Sequence, residues 1–142
     1  MAERASNHLV INTDGACAPN PGRGSYAVIV RRADGSLVCR FRKNIGPTTN
    51  NIAEWRGCLA ALDYVLANRR DCDGVELRMD SRLVVEQLVG RWRARSPMLF
   101  EYVRLGRERM ERLRLAGVEM RVQWVPRGEN TDADRWAARR RR

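Results

Sequence analysis

The sequence predicts an α/β fold: one mixed five-stranded sheet, three antiparallel strands followed by parallel additions, with helices on both faces. Three observations carry this. Three strand-like runs follow one another in the first 43 residues with turn residues between them. Two later strand-like runs are each preceded by apolar residues at helical spacing. A helix between two strands of one sheet is a crossover, and crossovers pair strands in parallel. The expected order is βββαβααβα.

The run "LVINTD" (9–14) opens the sheet and stops on an acid. "GSYAVIVRR" (24–32) follows, rich in β-branched residues. The dipeptide Asp34–Gly35 is a hairpin turn signal. "SLVCRFRK" (36–43) returns, with Leu37, Cys39 and Phe41 on one face and Val38, Arg40 and Arg42 on the other. In "TTNNIAEWRGCLAALDYVLANRR", Ile52, Trp55, Leu59, Leu62 and Leu66 recur at helical spacing, with Thr48 or Thr49 as N-cap. "GVELRMD" (74–80) is a strand that again ends on Asp. "SRLVVEQLVG" is a short helix with Ser81 at its start and Gly90 at its stop. After a basic link, "RWRAR" (91–95), a helix begins with Ser96 as N-cap and Pro97 in the first turn, and Gly117 follows its end. "VEMRVQWVPR" (118–127) is the fifth strand. "NTDADRWAARRRR" closes the chain as a terminal helix.

Composition bounds the rest. A chain of 142 residues, 44% of them hydrophobic, suits a single domain over 1–142, with a short flexible N-terminus (1–6) and a basic tail (139–142). No apolar run approaches the roughly 20 residues of a membrane span, and "MAERASNH" lacks the apolar stretch of a secretory signal. The expectation is a cytoplasmic, soluble protein, monomeric by default, with no membrane partner. The net charge of +10 favours a polyanion, with nucleic acid leading. Nearly all the positive charge is Arg, which binds phosphate bidentately; Lys43 is the single lysine. Cys17, Cys39, Cys58 and Cys72 have no CxxC spacing, and His8 is the single histidine. These counts and spacings argue against a structural zinc site and against a Ser–His or Cys–His nucleophile.

Four acids stand at the junctions of this layout. Asp14 and Asp80 end strands, where ligands of α/β sheets gather. Glu54 lies in the first turns of the long helix, at the edge of its apolar stripe. Asp134 lies in "NTDADRWA", between the small residues Ala133 and Ala137. Alone, each reads as a cap, a dipole partner or a surface residue. Together they would repel unless cations balance them, and hard carboxylate oxygens suit Mg²⁺ or Mn²⁺.

The stretches "TDGACAPNPG", "TTNNIAEWRGCLAAL", "MDSRLVVEQLVG" and "NTDADRWA" in this order resemble a type 1 ribonuclease H over nearly the whole chain. Each motif is weak; the ordered set is specific. The resemblance implies the ribonuclease H-like fold and cleavage of the RNA strand of RNA–DNA hybrids, leaving 3′-hydroxyl and 5′-phosphate ends. It implies Asp14, Glu54, Asp80 and Asp134 as catalytic metal ligands for two Mg²⁺ ions about 4 Å apart, with Mn²⁺ as substitute. In that scheme Asp14 bridges both ions, Asp134 helps hold the one activating water, and Glu54 and Asp80 hold the one at the leaving oxygen. It implies amide contacts to the RNA strand from Asn20, Asn50 and Asn51, backbone approach at Gly15, Ala16 and Cys17, and a DNA-phosphate grip at Thr49. Turn and capping chemistry is the other reading of these Asn residues.

The chain also departs from the family. The loop "VPRGEN" (125–130) lacks the family's His, and Arg127 or Glu129 stands in its place. The basic protrusion is reduced to "GRWRARS", where Trp92 either tracks the DNA backbone with the arginines or packs beneath the link. Pro47 replaces an expected Arg, leaving Arg42, Lys43 or Ser96 to compensate. A non-catalytic hybrid-binding module and a related-fold nuclease are the competing functional classes.

Overall fold

The structure is a computed structural model of the chain and describes residues 7–130. It contains β1 (His8–Cys17), β2 (Gly22–Arg32), β3 (Leu37–Thr48), α1 (Asn50–Ala67), β4 (Gly74–Met79), α2 (Arg82–Val89), α3 (Pro97–Leu115) and β5 (Glu119–Trp124). The expected N-terminus 1–6, terminal helix, Asp134 and tail 139–142 lie outside the described residues.

The sheet order is β3-β2-β1-β4-β5. The first three strands form an antiparallel meander, and β4 and β5 add in parallel. The β2–β3 hairpin closes at the Asp34–Gly35 turn. The Asp34 carboxylate accepts from Ser36 N–H at 2.8 Å, and Gly35 takes the positive φ that a side chain resists. The crossover through α1 carries the chain past β2 to pair β4 with β1, not β3. This makes β1 the central strand, hydrogen-bonded on both edges.

The three described helices share one face of the sheet. Ile11, Val28, Val30, Val75, Leu77 and Met79 point toward them and join Trp55, Leu62, Val84, Leu88 and Leu113 in one core. Each such fully buried side chain contributes roughly 1.5–3 kcal/mol. Helices are expected on both faces; the described ones lie on one, and the expected terminal helix falls outside the described residues. Arg40 and Arg42 face the other side, as their alternation with Cys39 and Phe41 predicts.

The buried face of α1 is broader than the expected stripe. Trp55, Leu62 and Leu66 are buried, but so are Ala53, Gly57, Cys58 and Ala61, while Ile52 and Leu59 lie only partly inside. Small residues let the helix sit close to the sheet. A Cβ at Gly15 of β1 would lie 2.2 Å from the Ala53 carbonyl carbon. Across the helix layer, Gly106 of α3 makes room for the Trp55 ring, which a Cβ there would meet at 2.7 Å. Trp55 Nε1 donates to Gln87 Oε1 at 2.9 Å, tying α1 to α2 inside the core.

Some boundaries differ from expectation. β1 runs three residues past Asp14, because Asp14 to Cys17 keep their antiparallel partners on β2. β5 stops at Trp124, and Arg127–Glu129 form a short 3₁₀ turn instead of strand. α1 stops before Arg69 and Arg70, which lie in an exposed 3₁₀ turn. Thr49 and Ser81 cap their helices through side-chain oxygens, accepting from Ile52 and Val84 N–H at 3.3 Å. Ser96 occupies the cap position of α3 without a side-chain bond.

Candidate active site

The last parallel pair between β1 and β4 is Thr13 with Met79. The next residues are Asp14 and Asp80. Sheet register alone therefore sets these two carboxylates side by side. The close packing of α1 on β1 then lowers Glu54 onto them. One ligand oxygen from each of Asp14, Glu54 and Asp80 lies within 4.8 Å of the others. Asp14 is 3% exposed, while Glu54 and Asp80 are half-buried. Gly15 N–H donates to Glu54 Oε1, so the position that admits no side chain also orients the helix carboxylate.

The electrostatics follow from this crowding. Burial is the main cause that pushes the Glu54 carboxyl up to about 8, and the nearby Asp80 charge adds to it. A hydrogen bond with Asp14 and the Gly15 N–H pull the other way. A carboxylate cluster held partly protonated without counter-ions fits a divalent cation, which favours the ionised form of all three. The donor set is oxygen only, as a hard ion requires. Cys58 is fully buried behind the cluster, and burial together with Glu54 keeps it a thiol, so it offers no nucleophile.

The rim is built from the β1–β2 loop and the start of α1. Cys17 N–H donates to Asn50 Oδ1 at 2.9 Å, and Asn50 N–H donates to Asn20 Oδ1 at 3.1 Å. The Cys17 thiol sits between Asn20, Thr48 and Asn50. These bonds realise the turn and capping reading of Asn20 and Asn50. Their carbonyl oxygens fasten loop to helix, while their Nδ2 groups make no hydrogen bond among the described residues. Two cis peptides, Ala18–Pro19 and Asn20–Pro21, shape the loop.

A depression of about 250 Å³ collects Asp14, Gly15, Ala16, Asn50, Asn51, Glu54, Asp80, Ser81 and Arg127. Arg127 therefore lies at the carboxylates. Glu129, offered with it by the sequence, lines a different recess with Asn12 and Arg31, because the 3₁₀ turn sends the two side chains apart. Asn51 also borders a larger hollow of about 860 Å³ with Gln87, Trp92, Arg93, Arg95 and Ser96. The two recesses meet at Asn51. Trp92 is 45% exposed and is not packed beneath the link. Asp134 lies outside the described residues.

Sequence reasoning missed three supports. Asn12 Nδ2 donates to Asn130 Oδ1 at 2.9 Å, and Asn130 Nδ2 donates to Thr13 O at 2.9 Å. This buried pair fastens residue 130 beside Asp14. Trp124 Nε1 donates to the Asp80 carbonyl at 3.1 Å, and Arg82 lies over the Trp124 ring. The "DSR" stretch and the Trp at the end of β5 were visible, but nothing local links them.

The sequence matches the family described as "Reverse transcriptase-like" over residues 12–140. It is 38% identical over 130 residues to "Bifunctional protein Rv2228c" of Mycobacterium tuberculosis, covering 91% of this chain and 34% of that protein. It is 36% identical over 121 residues to "Ribonuclease HI" of Halobacterium salinarum, covering 85% of this chain and 58% of that protein. The chain thus spans about a third to just over half the length of these relatives. The solved N-terminal RNase H domain of Rv2228c superposes with a TM-score of 0.82 at 35% identity, covering 94% of this chain and 93% of that one. LC11-RNase H1, solved in complex with RNA/DNA hybrid, superposes with a TM-score of 0.78 at 29% identity, covering 92% and 94%.

Proposed function

Since the chain belongs to the reverse transcriptase-like family, and within it to the ribonuclease H proteins, we propose that it hydrolyses the RNA strand of RNA–DNA hybrids, leaving 3′-hydroxyl and 5′-phosphate ends. The observation that carries this reading is the cluster of Asp14, Glu54 and Asp80, with one oxygen of each within 4.8 Å of the others. The complex of LC11-RNase H1 with a hybrid supports the substrate class.

Asp14, Glu54 and Asp80, joined by Asp134, would hold divalent ions, Mg²⁺ or Mn²⁺. Such ions, when bound, activate water and neutralise charge on the leaving oxygen. The chain's own part is placement. β1 fixes Asp14, the Gly15 amide orients Glu54, and the indole of Trp124 holds the main chain at Asp80. Gly15, Ala16 and Cys17 present a rim with little side-chain bulk. Asn20 and Asn50 turn their Nδ2 donors to a ribose 2′-hydroxyl, which is what separates RNA from DNA. Asn51 continues the rim to Trp92 and Ser96, where the DNA strand runs over an aromatic face flanked by Arg93 and Arg95. Thr49 uses its Oγ1 lone pair as the helix cap and keeps its hydroxyl proton for a phosphate. Arg127 supplies positive charge at the carboxylates.

The test is cleavage of labelled hybrid, duplex RNA and duplex DNA in parallel, with Mg²⁺, Mn²⁺ or chelator. Cleavage of the RNA strand of the hybrid alone, requiring metal, is expected. Asp14→Asn should abolish it while hybrid binding persists. Retained cleavage by that variant, or hybrid binding without cleavage by the natural chain in both metals, would defeat the proposal; the second result would favour a binding module.

A further inference from the structure

Arg82 opens α2, two residues after Asp80. Its guanidinium carbon lies 5.2 Å from the centroid of the Trp124 ring. The same indole donates to the Asp80 carbonyl. Arg82 is therefore seated on a ring that is itself bonded to the main chain of a cluster residue. Its other neighbour is Glu86, 3.8 Å away, but that carboxylate is already gripped by Arg91 through contacts of 2.5 and 2.7 Å. The guanidinium of Arg82 makes no hydrogen bond among the described residues. Its side chain stays 61% exposed, and Trp124 stays 43% exposed. Stacking fixes the plane of an arginine while leaving its N–H donors directed outward.

Position gives this seat a meaning. Along the sheet, the amide rim of Asn20 and Asn50 lies on the β1–β2 side of the carboxylates. Arg82 and Trp124 lie on the β4–β5 side. A strand laid across the amides and the carboxylates leaves the site over the start of α2. Resting on the hydrolytic reading above, we propose that Arg82, oriented by Trp124, grips a phosphate of the RNA strand beyond the point of cleavage.

The experiment compares steady-state hybrid cleavage by the natural chain, Arg82→Ala, Arg82→Lys, Trp124→Leu and Arg121→Ala between 50 and about 200 mM salt, with melting curves for each. Arg82→Ala should raise KM about five- to tenfold with kcat within about twofold, and should lower the slope of log KM against log salt by about 0.7–0.9, the value of one phosphate contact. Arg82→Lys should keep the slope, because the charge remains, and lose about threefold in KM. Trp124→Leu should raise KM with the slope largely kept. Arg121, paired with Glu119 on the far face of β5, should behave as the natural chain when replaced. An Arg82→Ala slope and KM equal to those of the natural chain overturn the assignment while leaving hydrolysis intact. A lower melting temperature with an unchanged slope also overturns it, as does an equal slope loss in Arg121→Ala. Absence of hybrid binding and cleavage by the natural chain overturns both readings.

Discussion

Glu54→Gln should make the metal-free protein more stable at alkaline pH and leave it nearly unchanged in acid. The Glu54 carboxyl titrates near 4.5 in the unfolded chain and is pushed up to about 8 in the folded one, first by burial and then by Asp80. The folded state holds this proton to higher pH. Its contribution is therefore complete below pH 4.5 and is lost as pH rises toward 8. The span from 4.5 to about 8, at about 1.4 kcal/mol per pH unit, sets a ceiling of roughly 5 kcal/mol. Relaxation of the site and water entry reduce this, and about 2–3 kcal/mol is expected. Gln is neutral at every pH, and its Oε1 can still accept from the Gly15 amide. The assay is urea unfolding of both proteins in chelator at pH 5, 7 and 8.5, plotted as the difference in stability. Differencing removes the acid-side losses of Glu86, Glu101 and Glu111, whose Arg partners lower their pKa values in both proteins alike. The difference should grow with pH. Saturating Mg²⁺ at pH 8.5 should reverse its sign, because a bound cation stabilises the natural chain more. A difference that is flat in pH would refute the argument that the three carboxylates share one crowded, buried space.

Gly15→Ala should destabilise by several kcal/mol and abolish cleavage, since its Cβ would enter the Ala53 carbonyl; a melting curve within 2 °C of the natural chain, a threshold of about 0.5 kcal/mol, would contradict the close α1–β1 approach. Asn130→Ala leaves Asn12 Nδ2 and Thr13 O without their buried partner and should cost about 1–3 kcal/mol in urea unfolding, with Asn130→Asp recovering only part. Trp55→Phe strands Gln87 Oε1 and leaves a void where the larger indole lay against Gly106, so about 2–4 kcal/mol should be lost, and the double change with Gln87→Leu should recover the hydrogen-bond share of it.

The carboxylates of Asp14 and Asp80 were legible because strand ends carry a local signal, and parallel register turns two such ends into neighbours. Glu54 was legible as the edge of an apolar stripe. The depth of its burial was not. That depth depends on Gly15, Ala53 and Gly57, small residues that leave no mark in an apolar periodicity. The pairing of β4 with β1 instead of β3 was equally silent, since crossover rules give the sense of a pairing but not which edge receives it. Trp92 was evenly balanced between stacking outward and packing inward, and only the course of the 91–95 link decides for exposure. Arg127 and Glu129 were indistinguishable by spacing until a 3₁₀ turn separated them. Asn12, Asn130 and the Arg82–Trp124 seat are joined by contacts across 42 to 118 residues, which no local pattern encodes.

The exposed turn at Arg69–Asp71 is a seam. Everything before it carries Asp14 and Glu54; everything after it carries Asp80. Severed there, neither piece contains the carboxylate cluster, and the two regain it by pairing His8–Thr13 with Gly74–Met79 and reseating α1 on α2 and α3. The fold thus divides into two halves that are each inert by construction. Fused to a pair of associating proteins, they would, under the proposed hydrolytic function, report that association through cut RNA.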